Sequence, residues 1–215
     1  MVNDNSLEPR ERILQASILL FAQKGYAAIG VREIAKQAQV NIAMISYYFE
    51  GKVGILKAIM EDFFDRYTAI FSDIQALQRS PDECVRLIIR RLVEFVRLET
   101  DLALVAYNEL PLDVPEIAQI KAQKVTEIFS KLGWLMAKFN LDPSQDPWRI
   151  GIIGPSLISM IVTNFRLRPV QQQIFHVKFD DDYHEKLIET LSTLFLKGMH
   201  GIATEEQSHK GVENE

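Results

Sequence analysis

Few residue types in this chain could carry chemistry, and most are too scattered to act together. Asp180-Asp181-Asp182 followed by His184 looks like a set of metal ligands. A helix N-terminus attracts the same carboxylates with no metal, because its unpaired N–H groups favour negative charge. His176, His200 and His209 fall at no spacing typical of zinc sites. Cys84 is the one cysteine, so it has neither a disulfide partner nor a resolving thiol. No glycine-rich phosphate loop, nucleophile elbow or Cys/His pair is present. The sequence therefore offers no catalytic residue, no metal site and no cofactor motif. The stretch that remains is residues 31–52, VREIAKQAQVNIAMISYYFEGK, whose spacing is the most regular near the amino end.

Two short helices must position those residues. Val31, Ile34, Ala35 and Ala38 recur with the 3.6-residue period of one apolar helix face. Gln39-Val40-Asn41 interrupts the pattern, with Val40 as the turn's plug into the core and Asn41 as an N-cap for the next helix. From Ile42 to Phe49, Ile45 and Phe49 share one face, and Ile42, Ala43, Met44, Ser46 and Tyr47 lie opposite. Two helices joined by so tight a turn cross steeply, as in a helix-turn-helix. The second is roughly 10 Å long at 1.5 Å per residue, which fits a major groove about 12 Å wide. Ile42, Ala43, Met44 and Tyr47 are then the side chains to place at base edges. The first three lack a hydrogen-bond code and would read thymine methyls and shape. Periodicity alone leaves a second reading open, with Ile42 and Met44 as ordinary core residues of a bundle.

Leu20-Phe21, Gly25-Tyr26, Val31-Arg32-Glu33-Ile34-Ala35, Val40, and Tyr48-Phe49 with Lys52 three residues later resemble the DNA-binding domain of the tetracycline-repressor (TetR) family. The likeness covers roughly residues 10–60 and favours the DNA reading. It implies phosphate contacts from Tyr48 and Lys52, supported by Asn41 and Arg32. It also implies a ligand-responsive regulator, a repressor by preference, bound as a homodimer to a palindromic operator in double-stranded DNA. An activator or an effector-independent regulator of the same fold is the alternative. The chain departs from the pattern at Gln39, where glycine is usual, at Gly30 and Ser46, where Thr and Tyr are common, and at Gly51, which replaces a polar cap.

Bulk properties set limits. Across 215 residues the chain is 47% hydrophobic and 25% charged, ordinary globular values. Its net charge of −5 argues at first against a nucleic-acid partner. Residues 1–60, however, hold seven Lys or Arg against five Asp or Glu, a mildly basic end on an acidic body. Such a protein should bind DNA through a small, focused set of phosphate contacts. No run of about 18 apolar residues suggests a membrane span. MVNDNSLEPRER lacks the apolar core of an export signal, so a cytoplasmic protein is expected.

The rest reads as helices, giving an all-α fold of about nine. One helix is expected from Gly51 to about Leu77, and others over about 81–98, 100–110 and 115–139. Trp148–Arg166 and Asp180–Met199 follow, with Arg168–Lys178 as an irregular connection and Gly201 as the final stop. The expected domains are 1–52 for DNA binding, 53–203 for ligand binding and dimerisation, and 204–215 as a disordered acidic tail. Ile153, Leu157, Ile161 and Phe165, with Leu187, Leu191 and Phe195, form stripes that could be an internal core. The resemblance instead favours a four-helix dimer interface. Aromatic and polar residues of the middle helices, Phe95, Tyr107, Asn108, Phe129 and Trp134, are candidates for the pocket of an unknown, largely apolar effector. A helical enzyme or carrier, or a helical protein-interaction module, would each leave the composition of residues 31–52 unexplained.

Overall fold

Pro9 starts the first helix, where its missing N–H costs nothing, and α1 (Pro9–Lys24) ends at Gly25. Gly25 has a φ of 82°, and its N–H donates to the Phe21 carbonyl. Its ψ of 149° makes this an extended turn rather than a left-handed cap. Next come α2 (Val31–Gln37), α3 (Ile42–Phe49) and α4 (Lys52–Ala69). A short 3-10 turn at Gln75–Leu77 precedes α5 (Pro81–Leu98), α6 (Thr100–Asn108) and α7 (Pro115–Ala137). The chain closes with α8 (Pro147–Arg166), α9 (Arg168–Phe175) and α10 (Asp181–Val212). These are read from a computed structural model that describes residues 7–108, 111, 113–142 and 144–212, without the side chains of Asn108 and of 202 onward. Among the described residues there is no strand, and the fold is all-α.

Three boundaries differ from the sequence reading. The fourth helix stops at Ala69 instead of Leu77, because Arg91 captures the chain there. Its guanidinium donates to the Ile70 carbonyl at 2.8 Å and pairs with Asp73, satisfying an open helix end from outside. The connection after Arg168 is a tenth helix, opened by Pro169 near its start. Its run of glutamines hid an apolar stripe of Val170, Ile174 and Phe175. Finally, α10 passes through Gly201 to Val212, so the expected tail is helical that far. Ala, Glu, Gln and Lys there propagate a helix, and one interior glycine costs only about 1 kcal/mol.

The chain divides into two compact units. The first comprises Met1–Arg66 and Glu99–Val125, so the expected cut at residue 52 falls inside it. Its core holds Ile13, Leu20, Phe21, Ile34, Ile45 and Phe49 from α1 to α3, and α6 packs on α1. The second comprises Tyr67–Leu98 and Thr126–Glu215, with α5 at its centre against α8 and α10. A wide face of α5, from Cys84 to Val96, is buried. Ser80 and Glu83 form a reciprocal cap at its start, with bonds of 2.9 and 3.3 Å. By length and composition α8 alone among the described helices could cross a membrane. Ile150, Leu157, Ile158, Ile161, Val162 and Phe165 nevertheless lie in the core of the second unit.

One close approach fixes how α3 hands over to α4. A Cβ at Gly54 would lie 1.6 Å from the Phe49 carbonyl oxygen, so only glycine lets the first turn of α4 sit against the end of α3. Gly54→Ala should therefore destabilise the protein by about 1–3 kcal/mol or more, measured as a lowered urea midpoint with an unchanged slope. A midpoint equal to that of the parent would contradict this packing.

Candidate nucleic-acid interface and effector cavity

The Asn41 side chain caps α3, its Oδ1 accepting the Ala43 N–H at 2.9 Å. The turn before it places Gln39 at a φ of 53°, the conformation glycine usually supplies. The helix-turn-helix geometry thus survives that departure, at a cost of about 1–2 kcal/mol. Ile45 and Phe49 are fully inside the first unit. Eight residues in a helix cannot bury both faces once those two are anchored. Ile42 is accordingly 43% exposed and Tyr47 80% exposed, with Asn41, Ala43 and Ser46 exposed beside them and Met44 half-buried. Burying the Ile42 face, the alternative left open by periodicity, does not occur.

The expected phosphate contacts are partly accessible. Arg32 is exposed on α2, and Tyr48 is exposed with its ring edge-on to Tyr47, centroids 4.9 Å apart. Lys52 is half-buried, with Nζ 4.0 Å from the Tyr26 ring centroid. Burial holds its ammonium below the usual lysine pKa. Three positions here were read only in part or not at all. Ser46, read on the outward face but left out of the base-edge set, is exposed there. Gly54 gave no signal, because its role is a backbone approach. Tyr26 is half-buried and faces a cation, a contact that its motif did not reveal.

The assigned dimer residues need correction. Leu157, Ile161, Phe165, Leu187 and Leu191 are all buried within the single chain. Ile153 and Phe195 are half-buried and line an apolar cavity. A helical stripe has the same period whether it faces its own chain or another, and α5 occupies the inward sides of α8 and α10. What remains on their outer sides is Trp148, Ile152, Pro155 and Ser159 on α8, with Leu194 and Gly198 on α10.

That cavity measures about 110 Å³ and lies wholly in the second unit. Every lining side chain is apolar, including Val85, Ile88, Leu132, Met136, Leu157 and Met199. Of the proposed pocket residues only Phe129 borders it. Phe95 packs against Tyr67 at 6.3 Å, and Trp134 is half-buried away from the lining. Tyr107 belongs to the first unit, edge-on to Phe63 at 5.7 Å. The Asn108 side chain lies outside the described residues. Phe95 and Tyr107 each meet another ring, and Trp134 does not border this cavity.

The cluster at the start of α10 is engaged in structural bonds. Asp180 accepts the Tyr183 N–H at 3.0 Å, Asp181 pairs with Arg97 at 2.6 Å and Asp182 with Lys186 at 2.6 Å. The buried His184 bonds through Nδ1 to the Asp180 carbonyl at 2.6 Å and through Nε2 to Arg168 at 2.8 Å. No group of three or more potential metal ligands gathers among the described residues. Cys84 is buried, which raises its thiol pKa.

An outward helix that follows a tight turn within a three-helix core is the arrangement of a helix-turn-helix DNA-binding domain. Residues 13–59 match the family model for bacterial regulatory proteins of the tetR family. A curated relative from Bacillus subtilis, "Probable HTH-type transcriptional regulator YttP", is 30% identical over 114 residues, 52% of this chain and 55% of the relative. The chain thus spans about half the length of that relative. The fatty acid degradation regulator FadR from Bacillus halodurans superposes with a TM-score of 0.68 at 18% identity, covering 89% of this chain and 96% of its own. FadR from Bacillus subtilis, solved in complex with stearoyl-CoA, gives 0.65 at 21% identity, with coverages of 87% and 98%. At such identities the two structures show a shared fold. Residues 13–59 thus resemble the tetR-family DNA-binding domain, and the chain shares the fold of the two FadR structures.

Two substitutions separate the roles on α3. Asn41→Ala removes the cap and should cost about 1 kcal/mol of stability, read from thermal unfolding. Met44→Ala should change which bases are preferred in a selection from random duplexes while leaving stability nearly intact. An unchanged preference would remove Met44 from the base-reading set.

Proposed function

We propose that the chain represses transcription as a homodimer on a palindromic operator and is released by an apolar effector. The exposed face of α3, with Tyr47 at its centre, carries the DNA part of this reading. Ile42, Ala43, Met44 and Tyr47 meet base edges. Arg32, Asn41, Tyr48 and Lys52 hold phosphates and fix the register. Two-fold pairing places the two α3 helices one turn of DNA apart, about 34–36 Å. The outer sides of α8 and α10, marked by Ile152 and Leu194, supply the pairing surface in place of the buried stripes. The work is done where the DNA is, in the cytoplasm.

The all-apolar cavity favours a hydrocarbon effector, and FadR's stearoyl-CoA complex makes a fatty acyl chain the first to test. Its volume is below that of a cavity of about 150 Å³ that accepts benzene. A long chain therefore enters only if Phe129, Leu132 and Met136 move apart. These three sit on α7, which runs from the first unit into the second. The closed cavity belongs to the DNA-competent state, and the effector selects the expanded one. Its differential affinity for the two states is the whole of the signal.

Footprinting on DNA flanking its own gene, at 0.15 M salt, should show two protected half-sites one helical turn apart. Stearoyl-CoA should weaken that binding about 5- to 150-fold. Gly154→Leu, directed at the Phe129 ring 3.8 Å from a Cβ at this position, should blunt the response. Leu194→Glu should shift the sedimenting species towards the 24.7 kDa of one chain. Absence of any protected site would defeat the DNA reading, and insensitivity to acyl chains would defeat the effector reading alone.

A further inference from the structure

The cations of the first unit are held in two different ways. Lys24 pairs with Glu33 at 2.6 Å, and Lys57 faces Glu116 at 3.9 Å, so their charges are partly cancelled. Lys52 has no ion pair among the described residues. Its Nζ sits 4.0 Å from the centroid of Tyr26 and 5.9 Å from that of Phe21. The two rings meet edge-on with centroids 5.2 Å apart, giving the ammonium a fixed aromatic seat at the first residue of α4. Arg10 is held similarly over Phe49, 5.3 Å from its centroid.

A carboxylate partner would order a lysine but would also compete with phosphate for it. A ring face attracts the cation through its quadrupole and adds no net charge. The long lysine side chain loses rotamer freedom when it docks on a phosphate. Part of that loss is already taken in the free protein if the ammonium rests on a ring.

We propose that Tyr26 is a positioning residue for DNA binding: its ring holds the Lys52 ammonium ready for a backbone phosphate while leaving the charge unpaired. The inference rests on the assignment of Lys52 as a phosphate contact in the proposed function. Tyr26 itself touches no DNA. Its effect passes through Lys52 and is the same for every sequence.

A double-mutant cycle on a mixed-sequence 30-base-pair duplex tests this, with affinity measured by anisotropy across a salt series. Tyr26→Leu should weaken binding about 2- to 5-fold per head, or about 5- to 30-fold for a dimer, the range for an exposed cation–ring contact. Tyr26→Phe keeps the ring and should bind like the parent. Lys52→Ala should flatten the dependence of log K on log salt by about 0.9 per head. In the Lys52→Ala background, Tyr26→Leu should have no further effect. Additive losses from Tyr26→Leu and Lys52→Ala would overturn the proposal, as would parental affinity in Tyr26→Leu. If Tyr26→Leu is poorly folded by circular dichroism, Tyr26→Phe and the Lys52 methylene shifts of the parent decide. A weakened Tyr26→Phe, or methylene protons without upfield ring-current shifts, would also overturn it. A parent protein that binds no duplex would instead sink the DNA reading itself.

Discussion

The structure depends on a constraint of size. A helix of eight residues has room for one anchored side, and α3 spends that side on Ile45 and Phe49, both inserted among α1 and α2. Apolar and aromatic side chains on the opposite side then have no interior left to occupy. Exposure of Ile42 and Tyr47 follows from the burial of their neighbours and needs no stabilising contact of its own. Burying a side chain such as Ile45 or Phe49 contributes about 1.5–3 kcal/mol. Leaving a tyrosine in water forgoes a similar amount, and a partner surface can recover it.

The junctions around α3 serve that constraint. Before it, Gln39 accepts a left-handed backbone, Val40 is half-buried in the turn, and Asn41 caps the new helix. After it, Glu50 with a φ of 59° and Gly51 with a φ of 112° reverse the chain. Gly54 then lets α4 start against the Phe49 carbonyl. Strain is taken in two short turns so that one helix can be presented. In the second unit the analogous economy is centred on α5, whose broad apolar face takes up the inner sides of α8 and α10 and leaves an apolar void between α7 and its neighbours.

How far the sequence could be read depends on the range of the forces involved. The helix-turn-helix was legible because its determinants are local: a 3.6-residue period, a capping Asn41 and an uninterrupted Ile45–Phe49 pair. Candidate base-reading residues followed from the same period. The assignments that failed all required knowing what lay across the core. Leu157 and Leu191 looked like interface because a stripe does not say which body covers it, and α5 turned out to cover them. Tyr107 and Phe95 could be named from residue type, but not the rings of Phe63 and Tyr67 that they meet. The stop of α4 at Ala69 depends on Arg91, a residue 22 positions on, reaching back to Ile70. Lys52 was legible as a cation, whereas its seat on Tyr26 was not.

The claim on which the account turns is that the outer side of α3 meets duplex DNA. A photoreactive phenylalanine analogue in place of Tyr47, irradiated with the full-length protein on its protected site, measures this most directly. Covalent attachment to bases within each half-site, absent when the analogue replaces Trp148 on α8, is the result expected. Attachment only to the protein's own body, with the DNA left unmodified, would contradict it.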